Sequence, residues 1–334
     1  MMKTGKKSTR PAVTYREVTA EEAGQRLDNY LFRHCKGVPK SHIYRILRSG
    51  EVRMNKKRCD ANYRVRAGDT LRLPPLSVGG RDHGVTPPTP SIDLPVRYED
   101  ATLLVIDKPA GIAVHGGSGV SFGVIETLRR QRPEARFLEL AHRLDKETSG
   151  LLLIARKRSA LNTLHEMFRT ARQSVDKRYL MLVKGVWTDP TQQVSVPLRK
   201  YLTESGERRV CVDAKDGKAA SSVFRLLARW QRFSLLEGQL KTGRTHQLRV
   251  HLAHLGFPIL GDEKYGDFAL NKALQKEGLK RMALHAARLG FPHPQEDRRL
   301  TLVAPLPAAL VGFIRHIDAT EERRFSAREM ANIA

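Results

Sequence analysis

Hydrophobic residues near the N-terminus recur at the spacing of two helices. Leu27 and Leu31 lie four residues apart, on one face of a first predicted helix that ends at His34. Ser41 is the predicted N-cap of a second helix, and Gly50 is its predicted end. This pattern predicts a helical pair at the start of a small domain.

The period then changes to that of β-strands. Apolar and polar residues alternate over 52–54, and a turn is predicted at 55–56. The alternation returns over 63–66 and again over 71–73, with a turn at 67–69 between them. A compact meander of short strands is therefore expected to follow the two helices.

A stretch without either period divides the chain. Residues 76–92 are rich in glycine and proline, which predicts a linker. We accordingly predict a basic tail at 1–24, a small domain at 25–75, a larger domain at 93–319 and a polar tail at 320–334.

The larger domain mixes strands and helices. Apolar runs at 102–106, 151–155 and 179–183 predict buried strands. Helical spacing appears after Ser159, a predicted cap, and again over 248–255. Because strands and helices do not alternate regularly, the predicted fold class is α+β, with a mainly antiparallel sheet flanked by helices.

Positive charge dominates the surface chemistry. The formal net charge is +24, and residues 1–75 alone hold 18 Lys and Arg against 7 Asp and Glu, a net +11. Such a surplus attracts polyanions and supports phosphate contacts, whereas acidic surfaces serve solubility at least as well. A nucleic acid is therefore the predicted partner, and charge alone does not separate RNA from DNA. The predicted phosphate contacts are Lys40, Arg45, Arg48, Arg53, Lys56 and Lys57.

The sequence argues against a membrane or secreted protein. No apolar run approaches the ~20 residues that span a bilayer, and no apolar segment follows the basic start of the chain. Cys35, Cys59 and Cys211 lie far apart and in odd number, so neither a disulfide framework nor a zinc knuckle is expected. We expect a cytoplasmic protein with reduced thiols.

One polar loop of the larger domain carries a candidate catalytic group. Asp145 lies in a stretch that ends at Gly150 and leads into the apolar run 151–155, so a strand is expected to hold the carboxylate at the rim of the core. Arg143 stands two residues before it. Loop aspartates most often accept backbone hydrogen bonds in turns, so spacing alone favours a structural role.

Three motifs of the larger domain carry a family resemblance. Residues 142–153 read His-Arg-Leu-Asp-Lys-Glu-Thr-Ser-Gly-Leu-Leu-Leu. This segment resembles the signature of pseudouridine synthases of the ribosomal large-subunit and transfer-RNA branch. Residues 107–112 resemble the family's upstream Lys-Pro motif, and 240–252 resemble its downstream motif. The motifs occur in the family's order, and the likeness spans 93–315.

The small domain carries a second resemblance. Residues 25–75 are similar to the alpha-L RNA-binding domain first described in a small-subunit ribosomal protein. The likeness rests on Arg26-Leu27-Asp28, Ser41…Ile46-Leu47…Gly50, Val52…Asn55-Lys56 and Val65…Gly68-Asp69. It implies that this basic domain binds RNA.

The synthase resemblance implies an enzyme that isomerises uridine in RNA without a metal or another cofactor. It assigns the catalytic carboxylate to Asp145, the ring that stacks on uracil to Tyr179, and the cation beside the carboxylate to Arg249. Without the resemblance, Tyr179 is equally well a core aromatic of a strand. Arg143 matches a residue expected to occupy the place of the flipped base. Further RNA contacts are predicted at His142, Arg244 and His246.

Two histidines allow a different interpretation. His251 and His254 lie three residues apart on one predicted helix face, a spacing that suits zinc. Neither a cysteine nor a further carboxylate completes a ligand set beside them. Structural or RNA-facing histidines are therefore favoured over a metal site.

Finer likeness concerns the substrate. Residues 197–200, 205–210 and 261–267 resemble synthases that combine the small basic domain with specificity for large-subunit (23S) ribosomal RNA. We therefore expect a monomer that modifies more than one uridine of this RNA in a precursor particle. A synthase of transfer RNA and a non-catalytic ribosome-assembly factor are the alternatives. The resemblance leaves open whether Asp145 adds to the base, adds to the sugar or assists deprotonation of the ribose.

Overall fold

A computed structural model describes residues 13–35, 37–76, 92–116, 123–170 and 174–321 of the chain. They belong to two compact units, each with its own hydrophobic core. Most of the predicted linker and most of the predicted C-terminal tail lie outside the described residues.

The first unit combines two helices with a four-stranded antiparallel sheet of order β1-β4-β2-β3. Leu27, Leu31, Ile43 and Ile46 are fully buried between the helices and the sheet, so the helical spacing of the sequence is confirmed. The elements are α1 (Leu27–His34), α2 (Lys40–Arg48), β1 (Thr14–Glu17), β2 (Arg53–Met54), β3 (Lys57–Arg58) and β4 (Thr70–Leu73).

Three details of the first unit correct the predictions. Strand β1 lies in the segment predicted as a tail, and the pattern missed it because all four of its residues are exposed. Pro39, and not Ser41, is the N-cap of α2. Proline has no N–H, so a helix that begins directly after it loses no backbone donor. The strand predicted over 63–66 is reduced to one bridge, between Arg26 and Arg64.

The second unit is built on one ten-stranded sheet, which has the order β10-β13-β14-β9-β15-β8-β6-β5, with β16 paired to β15 and β7 to β8. Its strands are β5 (Val96–Glu99), β6 (Leu103–Lys108), β7 (Glu139–Leu140), β8 (Ser149–Ala155), β9 (Asp176–Lys184), β10 (Thr191–Val194), β13 (Ser222–Arg229), β14 (Phe233–Leu240), β15 (Leu284–Pro292) and β16 (Arg299–Val303). A separate hairpin consists of β11 (Leu198–Leu202) and β12 (Arg208–Val212). The helices are α3 (Val124–Gln131), α4 (Arg158–Arg169), α5 (Gln247–His254), α6 (Phe268–Lys276) and α7 (Ala308–Thr320).

Strand β8 connects the two hydrophobic layers of this unit. Leu152 and Ile154 pack into one layer, whereas Leu151 and Leu153 pack into the other. Because both faces are covered, the strand reads as a continuous apolar run in the sequence. Helices contribute to both layers, so the α+β class with a mainly antiparallel sheet is confirmed.

One glycine fixes the position at which the Asp145 loop enters the sheet. β8 pairs with β15 in parallel through Ser149 and Gly150, and this pairing brings the backbone of Ala286 close to Gly150. A Cβ atom at position 150 would lie 2.3 Å from the Ala286 carbonyl oxygen, and the φ of +108° is one that L side chains rarely adopt. Only glycine satisfies both conditions.

Cys35, Cys59 and Cys211 are free thiols. Among the described residues, none of the helices combines the length and the apolar character needed to cross a bilayer.

Candidate active site

A buried lysine anchors the loop that carries Asp145. The Nζ atom of Lys108, at the end of β6, donates to the carbonyl oxygens of Pro109 (2.8 Å), Ile112 (2.9 Å) and Lys146 (3.1 Å). The oxygen of Lys146 also accepts from the Gly111 amide at 2.9 Å. Burial lowers the pKa of Lys108 to about 7, whereas the three carbonyl acceptors favour its ammonium form. The upstream motif therefore positions the residue next to Asp145, a role that the sequence did not reveal.

A histidine joins the same loop to β8. The Nε2 atom of His142 accepts a hydrogen bond from the Leu153 amide at 3.1 Å. Burial lowers the pKa of His142 to about 3, so the ring is neutral at physiological pH. His142 thus positions the loop, and its predicted contact with RNA stays a prediction.

Below the loop lies a second buried histidine. His285 of β15 faces the carbonyl oxygen of Ala304 with Nε2 at 3.2 Å and the hydroxyl of Ser149 with Nδ1 at 2.9 Å. A carbonyl can only accept, so Nε2 carries the hydrogen and Ser149 donates to Nδ1. Arg281 in turn donates to the Ser149 oxygen at 2.6 Å. Hydrogen bonds among Arg281, Ser149 and His285 therefore hold the start of β8.

Arg249 of α5 binds two carboxylates at once. Its Nη1 atom donates to Asp145 Oδ2 at 2.9 Å, while Nε and Nη2 donate to the two oxygens of Asp262, both at 2.7 Å. The side chain of Arg249 is 8% exposed and that of Asp145 23%. Burial by itself lowers the pKa of Arg249, but the bonds and charges of both carboxylates outweigh it and the pKa lies above its ordinary value. Arg249 is therefore held by a bidentate pair with Asp262 and presents Nη1 to Asp145.

Asp262 is a site residue that the sequence reasoning did not single out. Its side chain is 1% exposed, and Oδ1 also accepts from the amides of Lys264 (2.8 Å) and Tyr265 (3.1 Å). Burial raises the pKa of Asp262, and the hydrogen bonds of Arg249 reverse the effect, so the net direction is downward. Both oxygens of Asp262 are bonded to buried protein groups, so its role is to hold Arg249 in position.

Tyr179 of β9 belongs both to the core and to the site. Its ring packs in the larger hydrophobic layer and is 8% exposed. No described residue forms a hydrogen bond with its hydroxyl group. Burial, with a further contribution from the charge of Asp145, raises the pKa of Tyr179 well above its ordinary range. The hydroxyl is therefore protonated at neutral pH.

The site residues predicted for the larger domain converge on one cavity. Its volume is about 420 Å³, within the ~300–1,000 Å³ typical of small-molecule sites. Arg143 is exposed at this cavity, whereas Arg244 donates through Nε to the carbonyl of Ala219 at 3.0 Å. The predicted residues that line it are His142, Arg143, Asp145, Tyr179, Arg244, His246 and Arg249.

A lysine that we did not predict also lines this cavity. Lys177 lies two residues before Tyr179 on β9 and places its Nζ atom 3.7 Å from the centre of the Phe168 ring. Burial lowers the pKa of Lys177 to about 8. A cation over an aromatic face is stabilised without a carboxylate, so Lys177 adds positive charge to the cavity.

His246 has an unusual backbone conformation. Its φ is +54°, in the left-handed region, where it forms the N-cap of α5. The Nδ1 atom lies 2.7 Å from the Tyr265 hydroxyl, and Nε2 lies 3.7 Å from Asp145 Oδ1. Burial lowers the pKa of His246 to about 4. The ring is therefore a neutral neighbour of the carboxylate.

The two histidines considered as metal ligands have other surroundings. His251 is buried and directs Nε2 to the carbonyl of Val196 at 3.2 Å, whereas His254 is exposed. Within the described ranges, Asp100, His293 and Glu296 are the group whose spacing would suit a metal ion. Asp100 already accepts several hydrogen bonds there, one of them from His293 at 3.1 Å. These contacts account for the cluster without a metal.

Five of the six basic residues predicted in the first unit are exposed. Lys40 begins α2, and its side chain is not described. The Arg45 guanidinium lies 3.6 Å from the Glu51 carboxylate, which partly neutralises its charge. The remaining exposed members are Arg48 on α2, Arg53 on β2, Lys56 in the turn and Lys57 on β3. Their contact with phosphate stays a prediction.

Comparisons with known proteins give the family of this chain. The RNA pseudouridylate synthase family matches residues 102–254, and the S4 domain, an RNA-binding module, matches residues 25–71. This chain belongs to the RNA pseudouridylate synthase family, whose members convert uridine in RNA to pseudouridine.

Individual proteins of this family are similar to the chain over most of its length. The chain is 48% identical over 310 residues to ribosomal large subunit pseudouridine synthase C of Salmonella typhimurium, which covers 91% of this chain and 96% of the relative. It is 47% identical over the same length to the protein of that name from Escherichia coli K12, with equal coverage. The solved structure of human RNA pseudouridylate synthase domain containing 1 is 25% identical, with a TM-score of 0.58 over 73% of this chain and 96% of the human one.

Proposed function

We propose that this synthase isomerises uridines of large-subunit (23S) ribosomal RNA, at more than one position, with Asp145 as the catalytic carboxylate. The observation that carries the assignment is the 2.9 Å ion pair between Asp145 and Arg249 in a cavity that Tyr179 also lines. The relatives named above support ribosomal RNA over transfer RNA as the substrate. We infer that the enzyme acts as a monomer in the cytoplasm, on RNA of a precursor particle.

The reaction requires no redox change. The bond between uracil N1 and the ribose breaks, the base rotates, and a carbon–carbon bond forms at C5, while the C5 proton is lost and N1 gains one. Asp145 adds to the base or the sugar, or assists deprotonation of the ribose; each route needs an ionised and oriented carboxylate. Arg249 orients the carboxylate through Oδ2, and Oδ1 lies 3.7 Å from His246 Nε2.

Tyr179 supports the base by contact. Its ring offers a flat surface on which uracil can stack. Because the raised pKa of Tyr179 keeps the hydroxyl protonated, we assign it stacking and hydrogen-bond donation.

The target nucleotide must leave its helix before the glycosidic bond is accessible. Arg143, exposed at the cavity, is suited to occupy the vacated position. The S4 domain contributes sequence-independent phosphate contacts, which hold the RNA while the base is flipped.

Mapping of pseudouridine in cells tests this function. Ribosomal and transfer RNA from cells that lack the gene are compared with RNA from cells complemented by the wild type or by Asp145→Asn. We expect discrete 23S positions to lose pseudouridine and to regain it only with the wild-type gene. Loss confined to transfer RNA would overturn the substrate assignment.

A kinetic measurement tests Asp145 separately. Because one acid–base group is typically worth ~10²–10⁴ in rate, Asp145→Asn should retain less than about a hundredth of the wild-type single-turnover rate and bind RNA normally. Glu147→Gln, which removes the charge of a neighbouring exposed carboxylate, is the matched control and should stay active. Higher residual activity of the Asn variant would remove Asp145 from the chemistry.

A further inference from the structure

A row of polar groups leads from the β11–β12 hairpin to the catalytic carboxylate. The Val210 amide of β12 donates to the Tyr265 hydroxyl oxygen at 3.0 Å. That hydroxyl lies 2.7 Å from His246 Nδ1, and His246 Nε2 lies 3.7 Å from Asp145 Oδ1. The row therefore ends on the carboxylate oxygen that Arg249 does not bind.

The direction of each hydrogen bond follows from the chemistry of its atoms. An amide N–H can only donate, so the Tyr265 oxygen accepts from Val210. Within the described part of the chain, His246 Nδ1 is the acceptor in reach of the hydroxyl hydrogen, so Tyr265 donates to it. A neutral imidazole that accepts at Nδ1 carries its hydrogen on Nε2. The N–H of His246 consequently faces Asp145.

The backbone around His246 is arranged to hold this orientation. A left-handed conformation is uncommon for a residue other than glycine and marks positions that surrounding contacts enforce. Gln247 provides such contacts, because its Oε1 accepts from the Arg244 amide at 3.0 Å and its Nε2 donates to Ser222 Oγ at 2.8 Å. The ring of His246 is thereby held between Tyr265 and Asp145.

We propose that His246 is a positioning residue for Asp145, with its tautomer set by Tyr265. This inference rests on the assignment of Asp145 in the proposed function. At 3.7 Å the His246–Asp145 contact is too long for a hydrogen bond, and such contacts shorten when the substrate complex forms. Arg249 then holds Oδ2 and His246 orients Oδ1. Because the imidazole is neutral, it adds a donor without a second positive charge.

Single-turnover kinetics on a 23S ribosomal RNA transcript test the proposal with three single variants. His246→Leu removes the donor and should lower the rate roughly 10- to 100-fold, the range for a hydrogen bond to a charged group, with RNA affinity within about threefold of wild type. His246→Gln restores an N–H near the position of Nε2 and should recover part of the rate. Tyr265→Phe keeps the ring that lies against Arg249 and should lower the rate less than His246→Leu does.

A double variant of His246 and Tyr265 shows whether Tyr265 acts on Asp145 through His246, which we call the relay, or whether the two residues have independent structural roles. If Tyr265 acts through His246, Tyr265→Phe should have no further effect in the His246→Leu background. Additive losses would overturn the proposal. A His246→Leu variant with weakened RNA binding and a normal rate at saturating RNA would also overturn it, in favour of an RNA contact.

The Asp145→Asn variant keeps this proposal distinct from the proposed function. If Asp145→Asn is inactive and His246→Leu has the wild-type rate, the relay alone is wrong. If Asp145→Asn is active, the proposed function fails, whatever His246 does. Thermal unfolding of each variant identifies losses that come from misfolding. Where His246→Leu does not fold, Tyr265→Phe, which removes one oxygen, tests the relay in its place, and a wild-type rate in that variant would overturn the proposal.

Discussion

Arginine side chains are used differently in the two units of this chain. In the first unit, Arg48 and Arg53 are exposed and point into solvent. In the second, Arg249 is 8% exposed and donates to two carboxylates. Each exposed charge contributes weakly to binding, the contributions add, and dissolved salt shortens the range over which they act. A buried pair depends on each partner, because removal of one leaves the other uncompensated. Single substitutions should therefore be informative in the second unit, and multiple substitutions in the first.

Substitution of Arg249 should give the largest effect. Arg249→Met leaves Asp262 buried and unpaired, so we expect a loss of about 3–5 kcal/mol in the free energy of unfolding and loss of pseudouridine formation. Arg249→Lys keeps the charge without the planar fork and should retain partial activity. Denaturant unfolding and single-turnover assays measure both variants. Equal stability and activity of the two would show that the charge of Arg249 is dispensable.

The pH dependence of stability should come next. Burial lowers the pKa of His285 to about 4, against about 6.5 in an unfolded chain. As pH falls below 6.5, the unfolded state is protonated first, so stability declines until the pH reaches about 4. His285 should account for up to roughly 3 kcal/mol of the loss between pH 7 and pH 4.

Unfolding free energies of His285→Gln against pH test this expectation. The variant should lose less stability than the wild type over that range, whatever its stability at pH 7. The exposed His254→Gln serves as the control and should follow the wild type. Parallel curves for wild type and His285→Gln would contradict the buried neutral state.

Lys108 should have a smaller effect that reaches the active site. Lys108→Met leaves three carbonyl oxygens without their ammonium donor, at a cost of about 1–3 kcal/mol. Because one of these oxygens belongs to Lys146, beside Asp145, the rate should also fall, by roughly tenfold if about 1.4 kcal/mol of orientation is lost. Lys146→Met removes an exposed ammonium from the same loop and should leave both quantities near wild type. Identical behaviour of the two variants would remove Lys108 from the positioning of Asp145.

The smallest effect per residue is expected in the first unit. Combined substitution of Arg45, Arg48 and Arg53 by Gln should weaken RNA binding and reduce the slope of log affinity against log salt by roughly 0.7–0.9 for each lost phosphate contact. Single substitutions should be close to neutral. The matched control removes the same charge from exposed positions of the second unit, at Lys272, Lys276 and Lys280. An equal change of slope in the control would mean that overall charge, and not this surface, determines binding.

The fold was predictable where the apolar pattern is strong. The buried runs that form β6, β8 and β9 appear directly in the sequence, because both faces of these strands are covered. Strand β1 has no such pattern, since its four residues are exposed and only pairing with β4 defines it. The local sequence pattern also predicted the wrong N-cap for α2, which is Pro39 and not Ser41.

The site was predictable as far as motifs reach. The motif resemblance named Asp145 and Arg249, which lie 104 positions apart and form one ion pair. It gave no roles to Asp262, Tyr265 or Lys108, because their functions depend on hydrogen bonds that only tertiary structure defines. The sequence offered two signals for these residues. One is the Gly-Asp pair at 261–262, ahead of a turn, and the other is Lys108 at the end of an apolar strand.

The pairing of Arg249 with two carboxylates has a consequence for how a nucleotide is oriented. Two carboxylates face one guanidinium and the ammonium of Lys177, so the buried charges of the site balance, since His246 is neutral. Arg143 and Lys241, which also line the cavity, are exposed. The cavity thus has balanced charges inside and a surplus of positive charge at its solvent-facing edge. A nucleotide that approaches the cavity is expected to turn its phosphates towards the positive edge and its uncharged base inward, before any atom of uracil is recognised.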